Sequence, residues 1–287
     1  MITRRSLLGS ISALSALGAP KSSALIIDGQ NNHAWAQTTP LLQRYLEETG
    51  LFMVGVSTTP PKGGDMQAYR PELSTYDVVV LNYNGEDWSK ELEGDFEKFV
   101  RSGKGLVIVH AANNAFPDWV AFNEMIGVGG WGGRSEKSGP YLRLREGKWV
   151  PDTQAGRGGS HGKQHEYVVT VRDHNHPVTK GLPAEWLHAK DELYDRLRGP
   201  AKNVDILASS FSGKETNGSG EEEPLIMVLP YGKGRVFHTC LGHGVEAMQS
   251  VDFIVTYQRG AEWAGTGKVT QKLAADFPGK DKVRTRV

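Results

Sequence analysis

The chain has 287 residues, and its 38% hydrophobic and 23% charged side chains are the ordinary balance of a globular protein with a sizeable core. Its 33 basic and 33 acidic side chains cancel, and no basic block stands out, so neither nucleic acid nor an anionic membrane surface is expected as a partner. The single cysteine excludes an internal disulfide.

The N-terminal segment MITRRSLLGSISALSALGAPKSSA has the pattern of an export signal. Paired arginines precede a moderately apolar run from Leu7 to Ala19, and small residues at Ser22 and Ala24 suit a cleavage site. The TRRSLL run is typical of the twin-arginine type. We expect residues 1–24 to be this signal and the protein to be periplasmic or secreted; a short amphipathic helix is the alternative. The run is too short for a spanning helix, so no stable membrane span is expected after removal.

Buried apolar runs alternate with amphipathic helical patterns from about Leu25 onward. In chain order the strands are predicted at ALIIDG, LFMVGVST, YDVVVLNYNG and GLVIVHAANN, and the helices at TTPLLQRYLEETG, KELEGDFEKFVRSG and PDWVAFNEMIG. This alternation predicts an α/β fold with a parallel sheet that is covered by helices on both faces.

Residues 129–190 interrupt this alternation with glycine-rich turns and short strand-like pieces. We interpret them as a glycine-rich β insertion that covers one edge or mouth of the sheet. VDILASSF resumes the apolar pattern, and PLIMVLPYGKGRVFHTCLGH predicts a β-hairpin. A closing helix is predicted over 245–264. Residues 25–270 are therefore expected to form one domain, and residues 271–287 a C-terminal tail that frays.

Imidazole and amide side chains follow four of the predicted strands. They are Asn31, Asn32 and His33 after the first, Asn82 and Asn84 after the third, His110, Asn113 and Asn114 after the fourth, and His243 after the last. Ligands of open α/β sheets bind beyond the carboxyl ends of the strands. The sequence therefore predicts a polar pocket at this rim.

The stretch GRVFHTCLGHG holds the only cysteine between two histidines. Strand alternation puts His238 and Cys240 on one face and His243 on the other, with Cys240 and His243 about 10 Å apart at ~3.3 Å per residue. A cysteine nucleophile with His243 as its base is therefore not expected. His238 and Cys240 are predicted to lie in the core, and His243 at the rim.

The predicted insertion adds further histidines and carboxylates. His161 and His165 are four residues apart, and Asp191 and Glu192 are adjacent. Two or three imidazoles with a carboxylate can bind zinc or another divalent metal, although the spacing matches no fixed metal motif. The alternative is a hydrogen-bonding surface for sugar hydroxyls.

Four segments, in order, resemble the trehalose-utilisation or ThuA-like family over residues 25–270: GKGLVIVHAANN, HPVTKGLPAEW, DELYDRL and YGKGRVFHTCLGH. The resemblance implies a class I glutamine-amidotransferase-like fold, that is, a flavodoxin-like, doubly wound, mostly parallel sheet. It also implies a role in saccharide metabolism, often beside oxidoreductases that make 3-keto sugars. Amidotransferases carry a cysteine nucleophile at the turn that holds His110 here, so cysteine-dependent amide hydrolysis is not expected.

Two functions are compatible with these patterns. One is an exported enzyme that acts on a saccharide or 3-keto-glycoside by acid/base or metal-assisted chemistry; the other is a non-catalytic sugar-binding or sensing module. The predicted catalytic residues are His110, His243 and Glu192. The predicted substrate-binding residues are His33, Asn113, Arg134, His165, Glu166 and Asp191, with Arg157 as a further candidate. A divalent metal such as zinc would take its ligands from His110, His165 and His243.

Overall fold

The computed structural model describes residues 21–287; the predicted export signal lies outside the described residues as far as residue 20. The helices are α1 (Trp35–Glu48), α2 (Lys90–Arg101), α3 (Val120–Ile126), α4 (Val245–Met248) and α5 (Val251–Thr266). The strands are β1 (Ser22–Asp28), β2 (Phe52–Thr58), β3 (Val78–Leu81), β4 (Gly105–Val109), β5 (Tyr141–Arg145), β6 (Lys148–Asp152), β7 (Ser160–His161), β8 (His165–Val171), β9 (Glu185–Asp191), β10 (Tyr194–Asp195), β11 (Asp205–Ser212), β12 (Glu221–Tyr231) and β13 (Gly234–Thr239). Within residues 21–287, no helix combines the length and the apolar character needed to cross a bilayer.

A nine-stranded sheet forms the centre, in the order β2-β1-β3-β4-β13-β12-β11-β8-β9. Neighbours from β2 to β13 are parallel, and neighbours from β13 to β9 are antiparallel. Only β12 and β8 therefore run against the other seven strands of this sheet. The predicted α/β class with a mostly parallel sheet is confirmed at this level.

Helices cover both faces of the sheet, as two adjacent residues of β13 show. The ring of His238 contacts α3, since its Nδ1 lies 2.9 Å from the carbonyl oxygen of Ile126. Phe237 faces the other way and packs against α5 at Gly260, where an added Cβ would collide with the phenyl ring. Helix α1 packs beside α5, and Phe96 of α2 packs against Trp119, the residue that precedes α3.

Local signals set the boundaries of α2. The Ser89 hydroxyl caps its N-terminus by accepting a hydrogen bond of 3.2 Å from the backbone N–H of Leu92. Acidic residues occupy the first turn and basic residues the last turn, which complements the helix dipole. The buried stripe includes Leu92, Phe96 and Val100, so this helix docks on the sheet by its apolar face.

Residues 129–190, predicted as one insertion, divide between two places in the fold. Strands β8 and β9 extend the central sheet beyond β11. The β5–β6 hairpin is a separate two-stranded sheet that packs against β12, where Arg143 donates to Glu223, and β7 pairs with β10. Only the earlier part of the segment is therefore available to cover the mouth of the sheet.

Both ends of the predicted domain differ from expectation. Strand β1 begins at Ser22, three residues before the predicted start at Leu25, and its first residues pair with β2. The tail, expected to fray, packs on the domain: the N–H of Leu187 in β9 donates to the carbonyl of Gly279 at 2.9 Å. The ring of Phe277 meets Trp186 edge-on at 5.3 Å. A backbone hydrogen bond and aromatic packing thus hold this part of the tail on the domain.

Candidate functional site

Glu192 lies among four imidazoles at the rim of the sheet. Its Oε2 is 3.6 Å from Nε2 of His110 and 3.7 Å from Nε2 of His33. Its Oε1 is 3.2 Å from Nε2 of His243 and 3.6 Å from Nε2 of His161. The structure thus brings together the three residues predicted as catalytic and adds His33 and His161.

The rim forms because several segments end at the same place. His33 follows β1, His110 follows β4 and His243 follows β13, and these strands run in parallel within one half of the sheet. His110 has φ of 45°, a left-handed conformation that is uncommon for a residue with a side chain. This turn directs the imidazole back towards Glu192, which follows β9. Backbone strain at such a position is a frequent feature of functional sites.

The two inner imidazoles are each held at Nδ1. The Nδ1–H of His110 donates to the carbonyl oxygen of Cys240 at 2.6 Å, and that of His33 donates to the amide oxygen of Asn31 at 3.1 Å. Because both partners are acceptors, Nδ1 carries the proton in each ring. The Nε2 atoms therefore face the Glu192 carboxylate. In residues 21–287, the buried Nε2 of His110 has no hydrogen-bond partner.

Asp191, predicted to bind substrate, lies beneath the cluster and orients it. Its Oδ1 accepts from the backbone N–H of Glu192 at 2.8 Å and of His243 at 3.0 Å. Its Oδ2 accepts from the N–H of Gly242 at 2.7 Å and from His188 at 2.9 Å. The carboxyl is 1% exposed. Asp191 is therefore a positioning residue for the two segments that carry Glu192 and His243.

His188 links Asp191 to helix α5. Its Nδ1–H donates to Asp252 at 2.7 Å and its Nε2–H to Asp191 at 2.9 Å. Burial lowers the pKa of His188, but the two carboxylates outweigh burial and raise the pKa to about 10. Burial raises the pKa of Asp191, and the bonded His188 outweighs it, so that pKa is lowered. A buried imidazolium between two carboxylates thus supports the site.

The charge states of Glu192 and His243 depend on burial and on the neighbouring ionisable side chains. Burial raises the pKa of Glu192, but the facing imidazoles of His110 and His33 outweigh it and hold the pKa well below the usual range of a glutamate. Burial also lowers the pKa of His243. The carboxylate of Glu192 acts to raise this pKa, but His110 and His33 act with burial to lower it, and the pKa is lowered overall. The cluster therefore combines an ionised carboxylate with a neutral His243 near pH 7.

The cluster opens on a cavity of about 510 Å³. Its walls combine the aromatic rings of Trp131 and Tyr194, whose centroids are 4.7 Å apart, with amide side chains. The amides are those of Asn32, Asn84 and Asn114. A neighbouring cavity of about 550 Å³ shares Asn32 and Asn84 as lining residues. The two amides are hydrogen-bonded to each other, so they form the boundary between the two spaces.

Two residues that were predicted to bind substrate, Arg134 and Asn113, instead form buried hydrogen bonds within the fold. Arg134 is 3% exposed, and its guanidinium donates to the carbonyls of Asn114, Gly130 and Ala115. The amide nitrogen of Asn113 lies 3.0 Å from Nε2 of the buried His238. Neither side chain lines the cavity, because each one satisfies buried polar groups nearby.

Three further candidates also lie outside the cavity. His165 points its Nδ1 at the carbonyl of Lys163, 2.7 Å away, and contacts the ring of Tyr167. Glu166 is exposed. Neither of these residues nor Arg157 lines the cavity. Of the predicted metal ligands His110, His165 and His243, only His110 belongs to a group within residues 21–287 whose potential ligand atoms lie within 4.8 Å of one another, and the other members of that group are His33 and Glu192.

The sequence analysis named His161 beside His165 without placing it in the site, and it did not select Trp131, Tyr194 or His188. His161 reaches Glu192 because β7 pairs it with Tyr194 of β10. The adjacency of Tyr194 to the acidic pair in the segment DELYDRL was an available signal. His188 shares a strand face with the buried Trp186, and nothing in the local sequence distinguishes it from a core histidine.

Cys240 is fully buried, as predicted, and so is His238. The Cys240 sulfur is 3.8 Å from Nε2 of His238. Burial raises the pKa of the Cys240 thiol far above its ordinary value, and burial lowers the pKa of His238 to about 4. This thiol stays protonated and closed to solvent, so it has neither the charge nor the access of a nucleophile.

Known proteins resemble this chain over most of its length. The sequence profile of the trehalose-utilisation (ThuA) family matches residues 23–264. A ThuA-like protein from Parabacteroides merdae, known from its crystal structure, is 50% identical with a TM-score of 0.91 over 93% of this chain and 98% of that one. A ThuA-like protein from Bacteroides uniformis is 19% identical with a TM-score of 0.58 over 90% and 98%, which shows the fold alone. No curated protein sequence matches the chain. The chain belongs to the trehalose-utilisation (ThuA) family.

Proposed function

We propose that this protein is an enzyme that acts on a saccharide, with the Glu192 cluster as its reactive centre. One observation carries the proposal. A buried, ionised carboxylate faces four imidazoles at the floor of a cavity that is lined by aromatic rings and amides. Clusters of titratable groups with perturbed pKa values in a cleft are typical of catalytic sites.

The chemistry that suits this cluster is proton transfer next to a carbonyl group. A 3-keto group on a sugar acidifies the C–H bond of the neighbouring carbon, so a positioned base can remove that proton and leave an enolate. His243 suits the base: its side chain is 33% exposed, against 3% for His110, and a lowered pKa keeps it neutral. Cationic or hydrogen-bonding groups near the enolate oxygen would stabilise it. Elimination or isomerisation of a 3-keto-glycoside follows from such a step.

The cavity suits a glycoside better than a single sugar. Trp131 and Tyr194 can pack against the apolar face of a sugar ring, and the amides of Asn32, Asn84 and Asn114 can bond to its hydroxyls. The neighbouring cavity, which contains Trp35 and Lys62, gives room for a second ring beyond Asn32 and Asn84. A disaccharide-sized ligand would occupy both spaces.

The doubly wound topology of the sheet and the export of the protein are also part of this proposal. The parallel half of the sheet runs β2-β1-β3-β4-β13, which supports a flavodoxin-like, doubly wound arrangement whose strand order is 2-1-3-4-5. The TRRSLL segment supports export to the periplasm or beyond. Fractionation of cells that express the chain with Arg4→Lys and Arg5→Lys would test export, since loss of the arginine pair should retain the protein in the cytoplasm.

The proposed activity can be tested with the full chain. It is incubated with 3-keto-glycosides, plain disaccharides and monosaccharides, and products are followed by mass spectrometry. We expect turnover of a glycoside that falls about 100-fold or more in Glu192→Gln and His243→Ala, the range of a lost acid/base group. His174→Ala is the matched control, because His174 is exposed and outside the cavity. Binding without turnover across the whole panel would overturn the enzyme and support the sugar-binding module.

A further inference from the structure

The three innermost groups of the cluster converge on one point. Nε2 of His33, Nε2 of His110 and a carboxylate oxygen of Glu192 lie within 4.8 Å of one another. The two imidazole nitrogens face the same oxygen, Oε2, at 3.7 and 3.6 Å. These separations exceed the length of an N–H···O hydrogen bond, about 2.7–3.2 Å. The space between the three atoms therefore fits something larger than a shared proton.

The spacing of these three atoms matches that of metal ligands. Because Nδ1 of His110 donates to the Cys240 carbonyl and Nδ1 of His33 donates to Asn31, the Nε2 atoms of both rings are left facing the carboxylate. Two imidazole nitrogens and a carboxylate oxygen that converge in this way are donor atoms that a divalent metal ion takes as ligands. In a tetrahedral zinc site with bonds of about 2.0–2.2 Å, neighbouring ligand atoms are about 3.4 Å apart. The distances of 3.6 and 3.7 Å from Oε2 are close to that spacing.

The surroundings have the outer-sphere groups that metal sites use. A metal-bound histidine commonly donates its other N–H to a carbonyl or amide oxygen, which fixes the ring. Asn31 is itself fixed, because it donates to Asn82, and Asn82 donates to the hydroxyl of Thr38. His110 is 2% exposed, and within the described chain its Nε2 has no hydrogen-bond partner. This buried nitrogen is aimed at the point where the three groups meet.

We infer that His33, His110 and Glu192 hold a divalent transition-metal ion, with zinc as the first candidate. Two imidazoles and one carboxylate are a ligand set of catalytic metal sites, which leave a coordination position open for water or substrate. The cavity lies on the open side, where His161 and His243 face the second oxygen of Glu192. The inference deepens the proposed function and rests on its location: a bound ion here could polarise a sugar oxygen.

Metal binding can be measured without any saccharide. The full chain is stripped with a chelator, dialysed, and titrated with Zn²⁺, Mn²⁺ or Co²⁺, with elemental analysis for stoichiometry and calorimetry for affinity. We expect one equivalent per chain, and a Co²⁺ complex with visible absorption bands of a site with nitrogen and oxygen ligands. His33→Ala, His110→Ala and Glu192→Gln should each weaken affinity by about 100-fold or more, beyond the range of outer-sphere changes.

The controls separate this inference from the proposed activity. His165→Ala removes the histidine that sequence alone placed in the metal site, and His174→Ala removes an exposed one; both should bind metal like the unaltered protein. Circular dichroism checks folding, and His33, with an 11% exposed side chain, gives a variant that does not depend on removing the buried His110. Lack of uptake, or uptake unchanged in His33→Ala and Glu192→Gln, would overturn the metal centre. Metal uptake at these residues supports the centre even if no saccharide is turned over, an outcome that would count against the proposed activity alone.

Discussion

Asp191 and Glu192 are neighbours in sequence, yet their carboxylates serve opposite sides of the site. Asp191 turns inward and accepts bonds from His188 and from the backbone at residues 192, 242 and 243. Glu192 turns outward to four imidazoles, of which those of His33, His161 and His243 line the cavity. Glu192 was predicted to be catalytic and Asp191 to bind substrate; the structure makes Asp191 a positioning group and leaves Glu192 as the carboxylate that faces the imidazoles.

Asp191→Asn should destabilise the protein and slow the proposed reaction. The asparagine amide keeps one acceptor oxygen but lacks the negative charge of Asp191 that faces His188. It also brings an N–H₂ group towards backbone N–H donors. Breaking a buried ion pair costs about 3–5 kcal/mol in the free energy of unfolding. Urea denaturation measures this change in the free energy of unfolding. Glu166→Gln is the matched control, because Glu166 is exposed and its loss should cost about 0.5 kcal/mol or less. Equal stability of the two variants would contradict the role of Asp191.

The protein should lose stability in alkaline solution through His188. The pKa of this imidazole is about 10 in the folded chain and about 6.5 when unfolded. A raised folded pKa gives a contribution that is fully present below pH about 6.5 and is lost as the pH rises through about 10. We expect the free energy of unfolding to fall between these values and to fall less steeply in His188→Gln. Parallel slopes in the two proteins would show that another group is responsible.

Cys240→Ala should leave the proposed activity intact. The thiol is buried, and its raised pKa keeps it protonated, so only packing is lost, at a cost of about 1 kcal/mol. Iodoacetamide should modify the unaltered protein in denaturant and not under native conditions, as mass spectrometry can determine. A large loss of turnover in the alanine variant would reopen a thiol mechanism.

The rate of the proposed reaction should fall on the acid side of pH 6.5. Burial and the neighbouring His110 and His33 lower the pKa of His243, so its neutral, basic form persists through neutral pH and is lost only in more acidic solution. The dependence of kcat/KM on pH reports this group in the free enzyme. An acid limb centred above pH 7 would exclude His243 as the base.

Side-chain alternation along strands and the polar residues at strand ends were sufficient to locate much of this candidate site. Alternation along β13 separates Cys240 and His238 from His243, and the structure buries the first two. The rule that ligands bind at the carboxyl ends of strands identified His110 and His33. Both inferences depend only on local geometry, which the sequence specifies directly.

The remaining residues depend on pairings between distant segments. His161 and His165 are alike in sequence, and only the short β7–β10 pairing brings His161 to Glu192. Arg134 has the appearance of a loop arginine, and burial of its guanidinium among carbonyl groups depends on how the loop folds back. Likewise, β8 and β9 join the central sheet through partners that no local pattern identifies.

The packing of the C-terminal tail also bears on the edge of the central sheet. Strand β9 ends the central sheet, and an open edge strand offers free backbone groups to other chains. The bond from Leu187 to Gly279 occupies that edge, and Phe277 covers Trp186 beside it. Shortening the chain before Phe277 would expose a strand that ends at Asp191, so intermolecular strand pairing and distortion of the site would arise together.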